Sequence, residues 1–491
     1  MILRFSQSYS QCSYIFVGSL PEVYVSRANP ASDLRRTQVG DMPQGAPRGM
    51  FAGERGLLAP RYTRAMPTPE TFDVHAIRAR FPSLARHVSG GPIVYLDGPG
   101  GTQVPDLCLD GIRDYLTSRN TNTHGAFPTS VESDALLAEA HAAAADFLGA
   151  ADDEVAFGAN ATTITFAMSR AIGRTLRPGD ELVVTRLDHD CNVAPWLALE
   201  HDLGVTVRWV DVRTDDCTLD LDGLERALGP RTRLVAVGLA SNAVGTINPV
   251  RMIADAAHAA GARVWVDAVH AAPHVPIDVA GLDADYLVCS PYKFFGPHMG
   301  LFWGRRELLE ALPVYKVRPA DDGLPSRLET GTQAHEAQAG LLGTFRYLEW
   351  VGVTQGGASG EPGAADGGRR ARMRAAMAAI RGYERALTPR LIDGLAAVPG
   401  LAIRGIVDPA RVDERCPTVA FTLEGHHPQA VSAALGERGI CTWDGDYYAY
   451  ELIRALGLAE SGGMVRVGLA HYNTADEIDR LVEAVGAIAG G

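Results

Sequence analysis

Between about residues 150 and 300, short apolar runs alternate with Ala/Leu/Glu-rich helical patterns, and this alternation limits the fold more than any other feature of the chain. The runs Glu154–Phe157, Glu181–Thr185, Val205–Val210, Leu234–Gly238, Arg263–Val266 and Tyr286–Val288 read as strands, with helices such as Leu221–Leu228 and Met252–Ala259 between them. Near-continuous apolar strands separated by helices predict an α/β fold, a mainly parallel sheet covered on both faces. In such a sheet ligands collect beyond the carboxyl ends of the strands, so the residues that follow each strand are the candidate site.

Those residues carry chemistry. Arg263–Val266 runs into Asp267 and then His270, and Tyr286–Val288 leads to Ser290 and Lys293. Only two of the 45 basic residues are lysines, Lys293 and Lys316. Arginine cannot replace an amine that must turn neutral and nucleophilic, so a lysine surviving in so arginine-rich a chain is a candidate Schiff-base residue. A lysine and a carboxylate from consecutive strand ends are the pair that pyridoxal phosphate (PLP) needs, one for its aldehyde and one for its ring nitrogen. An aspartate there equally serves as a helix cap. After Glu154–Phe157, Asn160-Ala161-Thr162-Thr163 opens a helix whose free amides suit a phosphate, and Ser290 offers a hydroxyl. His189 follows another strand and is a candidate to lie over a cofactor ring; Asn242 is a candidate partner of a ring hydroxyl or a carboxylate.

The motif order resembles the class V aminotransferases, and among them the cysteine desulfurase-like branch. The pieces are Tyr95-Leu96-Asp97, the Asn122/His124 segment, Ala161-Thr162, His189, Ser241-Asn242, Asp267 to His270, Ser290 to Lys293, Glu329-Thr330-Gly331-Thr332, and Arg466 before Tyr472-Asn473-Thr474. They run from about Phe81 to Ile488. The resemblance implies a PLP-dependent fold type I enzyme: a large domain with a seven-stranded sheet and a smaller α+β C-terminal domain. It implies that Lys293 binds the cofactor and shuttles the Cα proton, that Asp267 pairs with the pyridine nitrogen, and that His189 stacks on the ring. Ala161, Thr162 and Ser290 would hold the phosphate, Asn242 and His270 would face the ring oxygen, and Arg466 with Asn242 and His124 would receive the substrate. Thr332 would approach the phosphate of a partner subunit, so a homodimer with shared sites is expected. Lys316 is then an ordinary surface lysine.

Departures from the family pattern limit what carries over. His270 stands where glutamine is common and could titrate, Tyr292 where histidine precedes the lysine, and Gly125 where arginine follows the histidine. Tyr448 falls where a desulfurase places its cysteine, Cys441 lies seven residues earlier, and 443–450 is aromatic and acidic. The expectation is a PLP-dependent lyase or transferase that acts at Cα of an amino acid through an external Schiff base and a Cα carbanion, without passing on persulfide sulfur. The alternatives are an aminotransferase or epimerase of the same fold, or a non-catalytic binding relative. No Gly-x-Gly-x-x-Gly stands in the setting a dinucleotide enzyme requires.

The expected organisation is a disordered or misassigned extension at 1–65 and a large PLP-binding domain at 66–350, with 66–100 packing on the small domain. A Gly-rich flexible insertion at 355–370 and the small domain at 371–491 follow. A net charge of −13 disfavours nucleic acid as a partner. The lack of an 18-residue apolar run gives no membrane span, and seven scattered cysteines fit a reducing, cytoplasmic setting without a disulfide framework or a metal site.

Overall fold

The computed structural model describes residues 72–356 and 367–490. The expected extension at 1–65 and most of the Gly-rich insertion lie outside these residues.

Seven strands form the main sheet: β1 (Val155–Gly158), β2 (Glu181–Thr185), β3 (Thr206–Val210), β4 (Thr232–Gly238), β5 (Arg263–Asp267), β6 (Tyr286–Cys289) and β7 (Gly300–Gly304). Their order is β1-β7-β6-β5-β4-β2-β3. The run β6-β5-β4-β2-β3 is parallel, and β7 inserts antiparallel to both β1 and β6. The six expected strands are all present within one or two residues. The sequence reading missed β7, because an antiparallel return strand needs no intervening helix and so breaks no helix–strand alternation.

Side chains of the sheet alternate between two cores. Val183, Val235, Val237, Val264 and Val266 pack on one face; Leu182, Val184, Leu234, Ala236 and Trp265 pack on the other. Period-2 alternation of apolar residues toward both faces is what a sheet covered on both sides demands. The helix α1 (Ala161–Gly173) follows β1, and the Asn160 side chain caps it by accepting from Thr163 N at 2.8 Å.

A second, antiparallel sheet comprises β8 (Leu401–Arg404), β9 (Thr418–Leu423), β10 (Trp443–Gly445) and β11 (Met464–Gly468), in the order β8-β9-β11-β10. The segment Val94–Tyr95 pairs in parallel with Ile440–Cys441, and Asp97 bridges to Gly468. This seam carries the loop 97–101 to the ends of β10 and β11. Among the described residues no helix is long and apolar enough to cross a membrane.

Candidate active site

The site grows from the carboxyl ends of β2, β4, β5 and β6. Asp267, the last residue of β5, is buried; its Oδ1 accepts from Val269 N at 2.8 Å and its Oδ2 from the Cys191 thiol at 3.4 Å. Burial raises its pKa above the ordinary carboxylate range, while the Val269 N–H, the Cys191 thiol and the charge of Lys293 pull it back. A second carboxyl, Asp188, follows β2 and accepts from Gly238 N at 2.6 Å and Thr185 Oγ1 at 2.9 Å. Burial, then repulsion from Asp267, pushes its pKa to about 8. Two adjacent buried carboxyls resist ionising together, so burial raises both and repulsion from Asp267 raises Asp188 further.

Lys293 stands in the turn Pro291–Lys293 after β6. Its Nζ donates to the carbonyls of Pro99 and Gly100, the latter at 3.0 Å, rather than to a carboxylate. Burial, then the Arg466 charge, lowers its pKa to about 7, so much of the amine is neutral near neutral pH. His189 lies half-buried beside it. The Cys191 backbone N–H donates to His189 Nδ1 at 3.0 Å, which leaves the proton of the neutral ring on Nε2. Burial, then the charges of Lys293 and Arg466, lowers its pKa to about 4, so a neutral imidazole face is available.

At the other end, the N-terminus of α1 meets the turn after β6: Ala161 N donates to Ser290 Oγ at 3.3 Å, with Thr162 next to it. Free amides and a hydroxyl at a helix N-terminus form an anion site. His270 is buried with Nε2 at 3.0 Å from Thr418 Oγ1, and burial holds its pKa well below the ordinary range. The structure therefore keeps it neutral instead of poised to titrate.

Eight residues expected for the cofactor, namely Ala161, Thr162, His189, Asn242, Asp267, His270, Ser290 and Lys293, line one cavity. Arg466, on β11, borders it. Its Nη1 donates to Asn242 O at 2.7 Å, its guanidinium lies 4.3 Å over the Tyr447 ring, and its Nε has no partner. Burial lowers its pKa to about 10, and its charge is felt by both Lys293 and His189. A buried guanidinium with a free Nε and no carboxylate bonded to it, tied to the cavity-lining Asn242, suits an incoming anion. Two expected residues are elsewhere. His124 is on the surface, its side chain 88% exposed and 3.4 Å from Asp134. Thr332 is exposed and lines a separate cavity with His298 and Met299. Lys316 pairs with Asp322 at 3.1 Å.

The sequence reading did not assign roles to Asp188, Cys191, Asp97 or Tyr447. Asp97 is half-buried, with its Oδ1 buried and unpartnered near the charges of Arg466 and Lys293. Tyr447 and Tyr448 are successive non-glycine residues with positive φ, +54° and +57°, a strained pair of the kind concentrated at functional sites. The Tyr447 carbonyl accepts from Asn242 Nδ2 at 2.8 Å and the Tyr448 carbonyl from Asp190 N at 2.7 Å. The Tyr448 ring, 71% exposed, lies 5.4 Å from that of His189. Trp443 packs on Gly100 so closely that a Cβ there would fall 2.1 Å from its Nε1. Cys441, half-buried, has its thiol pKa pushed up to about 11 by burial and then by Asp97.

The residues present fit PLP. The cavity offers a lysine whose pKa is lowered to about 7, a buried carboxyl with no salt-bridge partner among the described residues, free amides at a helix N-terminus, and an orphaned buried acceptor, Asn242 Oδ1.

A mainly parallel seven-stranded sheet with this lysine and aspartate at its strand ends is the architecture of PLP-dependent fold type I enzymes. The chain belongs to the class V aminotransferase family, whose model, "Aminotransferase class-V", matches residues 94–360 and 370–481. It is 33% identical over 438 residues to a "Probable cysteine desulfurase 2" of Mycobacterium leprae, covering 84% of this chain and 96% of that one. It is also 33% identical over 441 residues to a "Probable cysteine desulfurase" of Mycolicibacterium paratuberculosis, covering 86% of this chain but 59% of that relative's length. The solved cysteine desulfurase of Thermococcus onnurineus superposes with a TM-score of 0.74 at 25% identity, covering 87% of this chain and 99% of that one. One from Escherichia coli superposes with a TM-score of 0.69 at 27% identity, covering 85% and 98%. The chain is a PLP-dependent enzyme of this family, a lyase or transferase.

Proposed function

We propose that the enzyme cleaves the carbon–sulfur bond of cysteine or a cysteine-like amino acid. The observation that carries this reading is the placing of Lys293 and Asp267 in one cavity beside the buried Arg466, in a chain whose relatives are named cysteine desulfurases. Those relatives favour a desulfurase. The expectation that no persulfide sulfur is transferred gains no support from them.

PLP, when bound, supplies an aldehyde that captures amines and a ring that withdraws electrons from the substrate Cα. Lys293 would hold it through Nζ, and the same Nζ would carry the Cα proton. Asp267 keeps the ring nitrogen protonated, His189 covers the ring face, and Ala161, Thr162 and Ser290 hold the phosphate. Asn242 and His270 orient the ring hydroxyl, and Arg466 grips the substrate carboxylate. In a homodimer Thr332 reaches the partner's phosphate, and His124 reaches substrate only if a partner surface brings it there.

A second reading, β-elimination, is favoured by one observation. Tyr448 occupies the loop position facing His189, phenol cannot form a persulfide, and Cys191, Cys289 and Cys441 are held as neutral thiols by burial. Incubation with L-cysteine, followed by identification of the carbon product, separates the two: alanine marks desulfuration and pyruvate marks elimination. Absence of both, with no spectral change on adding cysteine, would overturn the proposal of C–S cleavage.

Two further outcomes are expected. Arg466→Lys should raise KM about tenfold or more with a smaller change in kcat, since a point charge replaces a fork; steady-state kinetics with an unchanged KM would remove Arg466 from the site. The rate at which apoprotein captures PLP should rise as pH increases through about 7 and then level off, because Lys293 reacts only as the free amine and its pKa is lowered to about 7. Stopped-flow absorbance showing the rise only near pH 10 would contradict that.

A further inference from the structure

Cys191 touches both groups that would bracket the cofactor ring. Its backbone N–H donates to His189 Nδ1 at 3.0 Å and its thiol to Asp267 Oδ2 at 3.4 Å. The turn Asp190–Asn192 carries both contacts on one residue. The Asp267 carboxylate has only two donors within hydrogen-bonding distance among the described residues, Val269 N–H and this thiol. The thiol is therefore the one side-chain hydrogen-bond donor to Asp267 among the described residues.

We propose that Cys191 is a positioning residue for the cofactor: its S–H donates to Asp267 and keeps that carboxylate ionised and aimed at the ring nitrogen, while its N–H sets the His189 tautomer. The proposal rests on the reading of Asp267 as the ring-nitrogen partner. A thiol that donates to a buried carboxylate serves as neutral S–H; the same contact keeps Cys191 from being a nucleophile, since a thiolate there would face two carboxyls, Asp267 and Asp188. Its role is thus distinct from sulfur transfer. Nothing about the position requires sulfur as such; serine is a stronger donor and should substitute once a shift of a few tenths of an ångström brings its shorter side chain into range of Asp267.

The test compares Cys191→Ala and Cys191→Ser with the parent holoenzyme, reading PLP dissociation constants and the pH midpoint of the bound cofactor's near-ultraviolet and visible absorption. Cys191→Ala is expected to weaken PLP binding about fivefold, the low end for a hydrogen bond to a charged group because S–H is a weak donor, and to move the absorption midpoint; Cys191→Ser should restore both. Wild-type affinity and midpoint in Cys191→Ala would overturn the proposal. Equal impairment in Cys191→Ser would also overturn it, because packing and not donation would then be what the position supplies. Asp267→Asn, measured alongside, separates the two levels: if it too binds PLP with parental affinity and midpoint, the reading of Asp267 fails, and the proposal with it. If only the Cys191 variants are silent, the reading of Asp267 stands and the proposal alone fails.

Discussion

Lys293→Ala is expected to abolish covalent cofactor binding and to lower turnover at least about a thousandfold, the combined loss of a nucleophilic amine and a proton carrier at Cα. No other amine can take over. Lys316, the second lysine of the chain, is engaged with Ala320 O and Asp322 on the surface, and the arginines stay protonated. The loss should not come from unfolding. Between about pH 7, where the folded Lys293 titrates, and pH 10.5, its ordinary value, the unfolded chain binds a proton that the folded protein does not. Burying this amine therefore lowers stability, increasingly as pH falls toward 7, and stability rises with pH across that window. Removing it should leave the apoprotein melting no lower than the parent at pH 7. Turnover and thermal melting, measured on the same preparation, check both halves; activity within tenfold of the parent would exclude Lys293 as the cofactor's anchor.

The second large effect is expected from Asp267→Asn. The amide preserves shape but cannot neutralise a protonated ring nitrogen, so the electron-withdrawing form of the cofactor is lost and kcat should fall about a hundredfold or more. Asp188 cannot compensate. It already accepts from Gly238 N and Thr185 Oγ1, and with its pKa at about 8 it is largely neutral near pH 7. Removing the Asp267 charge should let Asp188 ionise at lower pH, because repulsion from Asp267 is one cause of its raised value. A kcat within threefold of the parent would contradict the assigned role.

Much of this was legible before any coordinates. The helix–strand alternation gave the sheet, and a parallel sheet sends strand ends, and whatever chemistry follows them, to one edge; Asp267, Lys293, Ser290, His189 and Ala161 were found that way and line one cavity. Contacts that cross between strands were not legible. Cys191 sits two residues beyond His189, yet its partner Asp267 lies 76 residues away. Asp188 reads as loop polarity until Gly238 is seen to donate to it from 50 residues on. The left-handed pair Tyr447-Tyr448 carries no glycine or asparagine signal, because contacts to Asn242 and Asp190, not local preference, hold it. His124 and Thr332 were chosen by position in a motif, and a single chain leaves both away from the cavity.

Borohydride reduction of the PLP-loaded protein, followed by peptide mass spectrometry, locates the amine that holds the cofactor. A single phosphopyridoxyl adduct on Lys293 is expected, with loss of the visible absorption band. An adduct on Lys316, or none on any lysine, would contradict that expectation.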